Sequence, residues 1–360
     1  MKLSEIATGR DNNFNLIRII AAYAVLFTHS FAIAIGSGDD EPRLFGHSLG
    51  SLAIHIFFIT SGFLVTASLI KRKSFIEFVW ARFLRIFPAL LIMLLLSTFV
   101  MGAFFTSEPL TEYFTASTTY YYLAKCLTLF SGVAYDLPGV FTDNPYQNAV
   151  NGSLWTLPHE VRLYILLAVV WLLLKKAPSK FDTLFIKFII AVYLTSGIYL
   201  IAKTIIGLKP SYTILLLFMF FSGSLFYILK DKIIISRNLV LTMGAILIFS
   251  VYEEQIFKIV YLISLPYLLF YLAYVPSGFI RKYNSLGDYS YGIYIYAFPV
   301  QQSIAFLIPN ISVIQMITYS TLVTLLLAIL SWHMIERRAL LLKDQYVAYT
   351  RSLHSKIPFI

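Results

Sequence analysis

The sequence predicts an all-α polytopic membrane protein with about ten transmembrane helices and cytoplasmic N- and C-termini. Three observations predict it. The chain of 360 residues is 59% hydrophobic and only 13% charged, where a soluble domain carries roughly 25% charged residues. Ten apolar stretches approach the ~20 residues that a helix needs to cross a bilayer. With both termini inside, 20 Lys and Arg residues fall in inner segments against 5 in outer ones, leaving Arg18, Arg162 and Lys187 in or beside spans. Positive charge collects on the cytoplasmic side of membrane proteins, so this asymmetry sets the orientation.

The spans fall at about 14–36, 50–70, 86–106, 153–174, 184–205, 211–229, 238–252, 256–275, 287–308 and 312–334. The first is an apolar run interrupted by Arg18 and His29, and the second holds Ser61-Gly62. Arg82 and Arg85 stand at the opening of the third. The fourth enters at Asn151-Gly-Ser-Leu-Trp-Thr-Leu-Pro-His-Glu160. Ser153 is placed to cap it, and Pro158 lies early enough to disturb few hydrogen bonds. The fifth to eighth are joined by short connections, the inner ones basic, and the seventh is the shortest. The ninth opens on Tyr289-Ser-Tyr291-Gly-Ile-Tyr294, and the tenth ends near His333 and Glu336. These spans make one transmembrane domain, 1–343, followed by a short basic cytoplasmic tail, 344–360.

The longest connection, about 107–152, is outer and rich in Tyr, Thr, Asn, Gly and Pro. Its aromatic and amide content suits a carbohydrate-facing surface and equally an ordinary packed loop. Nothing in the first residues resembles a cleavable signal peptide. The lone Cys126 gives neither a disulfide framework nor a metal pattern. Despite the net charge of +10, basic residues in short loops between apolar spans argue for membrane orientation and against a nucleic-acid partner.

Ionisable groups inside spans are functional-site candidates by default, because hydrocarbon makes them expensive. Arg18 and His29 are close to three helical turns apart, so they share a face and lie ~16 Å from each other along the axis. His29 sits ~10 Å below the outer surface, and Glu160, on an antiparallel span, reaches a similar depth. A neutral imidazole beside a carboxylate removes a proton from a hydroxyl, so His29 and Glu160 are the candidate catalytic residues. The bland alternative is a buried pair that locks two helices together. His159 faces about 100° away from Glu160 and is an alternative base or a structural donor. Arg162 is a candidate counter-ion for Glu160 or Glu336, or a ligand contact.

At the inner side, Lys71 to Lys73 read as positive-inside anchoring, whereas Arg82 and Arg85 lie on one helix face. Two guanidinium forks so placed suit phosphates. Ser61-Gly62-Phe63 lacks the flanking pattern of a serine nucleophile, and the small pair reads as a close helix contact. His55 is expected to line a cavity, and Glu336 to pair with Arg337 or Arg338.

Together these segments resemble the acyltransferase family 3 integral membrane proteins. The resemblance rests on Arg18 with ten residues before His29, Phe57-Phe58-Ile-Thr-Ser61-Gly62-Phe63-Leu64, and Arg82-Phe-Leu-Arg85-Ile-Phe-Pro88. It continues in Ser153-Leu-Trp155-Thr-Leu-Pro-His-Glu160 with Tyr164, Tyr289-Ser-Tyr291-Gly-Ile-Tyr294, and Ile335-Glu336-Arg337. It implies a ten-helix fold in the bacterial inner membrane that takes cytoplasmic acyl-CoA, usually acetyl-CoA, and acylates sugars of surface or exported glycans. It also implies His29 as the essential histidine, with Arg18, Arg82 and Arg85 binding the donor. Trp155, Tyr164 and His159 are the candidate substrate contacts. The acceptor is then a glycan or lipid-linked sugar, with membrane lipids around the chain and no metal required. His55 and Ala297 stand where many members carry an acidic residue and a histidine. The runner-up reading is a transporter or flippase for a lipid-linked or anionic sugar, although the two similar halves common in transporters are not seen. A scaffold in a glycan-assembly complex is the third.

Overall fold

Each of the ten apolar stretches carries a helix in the structure, a computed structural model that describes residues 1–9, 11–44, 47–72 and 74–356, with the backbone alone at Leu44 and 354–356. Arg10, Lys73 and the last four residues of the expected tail lie outside the described residues. The helices are α1 (Phe14–Ile35), α2 (Leu49–Arg72), α3 (Phe75–Leu95), α4 (Leu157–Leu174), α5 (Phe181–Ile205), α6 (Tyr212–Ile228), α7 (Arg237–Phe249), α8 (Glu254–Tyr274), α9 (Ser290–Leu307) and α10 (Val313–Ser331). A further helix, α11 (Lys343–Lys356), follows α10 after the π-helical turn Trp332–Glu336 and the short helix Arg337–Leu341. Among the described residues, seven helical stretches, those holding α1 to α5, α8 and α10, are long and apolar enough to cross a membrane, and α6 and α7 are shorter apolar helices. The chain is thus an all-α polytopic membrane protein. Its α9 falls short on hydropathy because it is a lining helix: Ser290, Gln301 and Gln302 are fully buried in protein.

Helix ends follow local chemistry. α3 starts at Phe75, well before the expected 86, because the Ser74 hydroxyl accepts from the Glu77 amide and caps it. That places Arg82 and Arg85 inside the helix. Beyond α3 the chain continues through a π-helical turn, Leu96–Met101. α1 ends at Gly36, whose φ of 78° is the left-handed conformation that glycine adopts without strain. Its start is pinned by Asn13, whose amide donates to the Leu272 and Pro276 carbonyls at the end of α8.

The tightest crossing is α2 against α6. A methyl group on Gly62 would lie 1.8 Å from the Phe220 carbonyl oxygen, and one on Gly223 1.9 Å from that of Ile59. With little hydrophobic drive between helices in lipid, close backbone approach through small residues is what holds them. Gly62 therefore plays the packing part expected of the Ser61-Gly62 pair.

The bundle has two faces. The termini face carries the N-terminal segment, which pairs its Leu3 amide with the Ile233 carbonyl, and α11. That helix stacks Tyr346 on Trp80 at 4.6 Å and reaches Glu77 of α3 through Arg351. The loop face carries the connection 106–151, which is packed rather than loose. Short helices Leu110–Thr115 and Ser117–Thr128 lie in it, and the Tyr113 hydroxyl donates to the Thr98 carbonyl at 2.7 Å. Its last part dips into the bundle: buried Asn144 donates to the Gln302 side chain, and buried Asn151 donates to the Ile295 carbonyl.

Candidate functional site

Two chambers stack along the bundle axis. The one nearer the termini face is lined by Arg18, Ser61, Arg82, Arg85, Thr156, Glu160, Tyr164, Ser290, Tyr291 and Tyr294. Five helices, α1 to α4 and α9, meet there with the turn that leads into α4, each bringing at least one polar residue on an otherwise apolar face, and buried polar groups gather where they can satisfy one another.

The arginines of this chamber are not equivalent. Arg85 reaches both Asp288 and, at 3.1 Å, Glu336. Arg18 pairs with Asp288 at 2.9 Å, so one carboxylate bridges two guanidinium groups from α1 and α3. The second Asp288 oxygen accepts from the Ser290 amide and hydroxyl at the start of α9. Arg82 has no ion pair among the described residues, and its buried Nε has no hydrogen-bond partner. Its guanidinium lies 5.9 Å from the centre of the Tyr164 ring. Glu160 accepts from Ser61 at 2.9 Å and from the Tyr164 hydroxyl. One guanidinium without an ion pair among the described residues thus stands in a cavity whose other arginines are already neutralised, which is the arrangement that an anionic group would complete.

The second chamber opens toward the loop face and is lined by Thr28, His29, Ser48, Ser51, Ser153, Trp155, Tyr212 and Tyr294, among others. His29 Nδ1 stands 3.5 Å from the Ser153 hydroxyl, and its ring meets Phe298 edge to face at 5.2 Å. Beyond it lies an open groove of about 1480 Å³ lined by Tyr135, Asp136, Tyr146, Gln147, Asn148 and Trp155. Trp155 borders both spaces, so groove and chamber adjoin.

Several expectations are corrected here. His29 and Glu160 do not meet. The buried end of the long connection delivers Ser153 already at the level of His29, so Glu160, seven residues on, lies ~10 Å deeper along the axis. Asn151 caps the entry by accepting from the Ser153 amide, because a 3-10 turn, Gly152–Thr156, precedes α4. The Ser153 hydroxyl is thereby left for His29. Tyr164 lines the termini-side chamber with Arg82, away from Trp155 and His159, which pack edge to face at 5.8 Å. Arg162 neutralises neither acid: it donates to the Phe130 carbonyl. Glu336 pairs with Arg85 and Ser331 rather than with its neighbours Arg337 and Arg338, since the π-helical turn Trp332–Glu336 points it inward. His55 is fully buried against Tyr261 at 2.7 Å and lines neither chamber.

Reading the sequence missed Asp288, Ser61 as a site residue, and Tyr294. Asp288 had a signal, an acidic residue just ahead of a ninth span rich in tyrosine. Ser61 had none, because its hydroxyl matters only once α4 lies beside α2.

Residues 11–335 match the family described as acyltransferase domain. The chain is 31% identical over 350 residues to a protein named O-acetyl transferase from Shigella phage Sf6, covering 92% of this chain and 96% of that one. It is 32% identical over 184 residues, 48% of each, to Nodulation protein 10 of Rhizobium leguminosarum bv. viciae. No solved structure gives a significant match. The transporter and scaffold readings accordingly give way to group transfer. The chain belongs to the acyltransferase domain family and is a multi-pass membrane acyltransferase.

Proposed function

We propose that the chain is an O-acetyltransferase of the bacterial cytoplasmic membrane, carrying acetyl groups from acetyl-CoA at its termini face to a sugar hydroxyl at its loop face. The observation that carries this reading is the pair of stacked chambers, with an orphaned guanidinium in one and an imidazole in the other. The name of the phage relative supplies the acetyl group and the oxygen acceptor. The excess of basic residues on the termini side supplies the orientation, with donor entry from the cytoplasm.

On this reading Arg82 takes the donor's phosphates, while Asp288 holds Arg18 and Arg85 rigid beside it. Glu160, Ser61 and Tyr164 shape the wall along which the pantetheine arm runs. With Ser153 at Nδ1, His29 uses Nε2 to take the proton of the acceptor hydroxyl. The hydroxyl oxygen attacks the thioester carbonyl, the C–S bond breaks, and the imidazolium returns its proton to the departing CoA sulfur. The aromatic groove around Tyr135, Tyr146 and Trp155, with Asn148 and Gln147 as hydrogen-bonding groups, receives a glycan or lipid-linked sugar.

The test is purified protein in liposomes with radiolabelled acetyl-CoA and extracted glycan. CoA release that depends on the glycan is expected from the parent, and its loss from His29→Ala and His29→Gln. Wild-type transfer by His29→Ala would end the reading.

A further inference from the structure

The two chambers share two residues, Ile54 and Tyr294, and these form the wall between them. Tyr294 is clamped at its tip. Its hydroxyl donates to the Ser153 carbonyl, and with that proton committed Thr156 donates to it in turn. Thr156 faces the termini-side chamber, whereas Ser153 faces the loop-side one and touches His29. Phe57, from the termini-side chamber, backs the ring edge to face at 5.9 Å. The supports on both sides are fixed too, since Asn151, next to this clamp, donates to the carbonyl of Ile295, next to Tyr294.

We propose that Tyr294, with Ile54 beside it, is a movable partition that closes the passage between the donor and acceptor chambers and yields when the thioester advances. A passage open at both ends would let water reach the thioester and let ions cross the membrane, so a closed resting state serves both chemistry and the membrane. Two hydrogen bonds at the side-chain tip, each of modest net worth, and the Phe57 contact hold it shut. Moving the ring also releases the Ser153 carbonyl, whose own hydroxyl contacts His29, so opening and the setting of the imidazole are mechanically linked. The terms donor and acceptor rest on the acetyltransferase reading; the partition itself does not.

The experiment places a cysteine in the loop-side chamber, Thr28→Cys in a Cys126→Ala background, and treats sealed vesicles of known orientation with a small membrane-impermeant methanethiosulfonate. Labelling from the loop face only is expected with Tyr294 intact, and with Tyr294→Phe, which keeps the ring. Tyr294→Ala is expected to admit reagent from the termini face at least tenfold faster. It should also release CoA without acceptor at a similarly raised rate. One-sided labelling of the Tyr294→Ala protein, still labelled normally from the loop face, would overturn the proposal, as would two-sided labelling of the parent. Labelling needs no acetyl transfer, so a correct labelling pattern with no CoA release by any variant would sink the acetyltransferase reading and leave the partition standing.

Discussion

Arg82 and Arg85 are one helical turn apart and look interchangeable in sequence, but their surroundings assign them different work. Arg85→Ala strands buried Glu336 without a cation and leaves Asp288 with Arg18 alone, a loss of about 3–5 kcal/mol for a broken buried pair. A thermal-melt assay should show a large drop in Tm. Arg82→Ala breaks no ion pair among the described residues. Its Tm should move little, while KM for acetyl-CoA rises tenfold or more; equal stability losses in the two variants would refute the division. Cys126 gives a second expectation at this scale. Burial pushes its thiol up to about 12, against a weaker downward pull from Lys125. A raised thiol pKa means less thiolate at any given pH, so iodoacetamide at pH 8 should leave Cys126 unmodified until the protein unfolds. His29 and Glu160 were legible because ionisable groups in apolar stretches advertise themselves, and the two arginines because they share a helix face at the opening of a span. Their partners were not, because which acid meets which base depends on contacts between helices distant in sequence.

At the scale of elements, the α2–α6 crossing and the docking of α11 make separate claims. Gly62→Ala would force a methyl group onto the Phe220 carbonyl, and overpacking of this kind costs about 1–3 kcal/mol. Detergent-solubilised Gly62→Ala should therefore melt earlier than Gly244→Ala, whose new methyl meets nothing within 4 Å. α11 is held to α3 by the Tyr346–Trp80 stack, the Trp80–Thr350 hydrogen bond and the Arg351–Glu77 ion pair. Deleting residues from Lys343 onward should lower Tm by a few degrees and leave the ten-helix bundle intact by circular dichroism. The ten apolar stretches were readable from length and hydropathy alone. The early start of α3 was not: Ser74 and Glu77 form its cap among polar residues that hydropathy scores as loop.

For the whole molecule, the proposed function makes orientation a functional matter, since it has donor and acceptor meet across the bilayer. Single cysteines at Tyr349 on α11 and at Tyr121 in the long connection, both exposed, should be labelled from opposite sides of sealed vesicles in a Cys126→Ala background. Labelling of Tyr349→Cys from the cytoplasmic side is expected; the reverse would turn the reaction direction around.

By itself the sequence determined the class of molecule, the order of its apolar helices and the family, and it singled out Arg18, His29, Arg82, Arg85 and Glu160 as candidate groups without Asp288. These follow from local quantities: hydropathy over a window, charge in connections, and motifs of fixed spacing. Tertiary structure alone decided that His29 and Glu160 belong to different chambers, that Asp288 neutralises Arg18 and Arg85 while Arg82 has no ion pair among the described residues, and that Tyr294 stands between the two chambers. The reason is geometric. Depth in a bundle is set by where each helix is anchored to its neighbours, and the buried asparagines that anchor the entry to α4 find partners more than a hundred residues away.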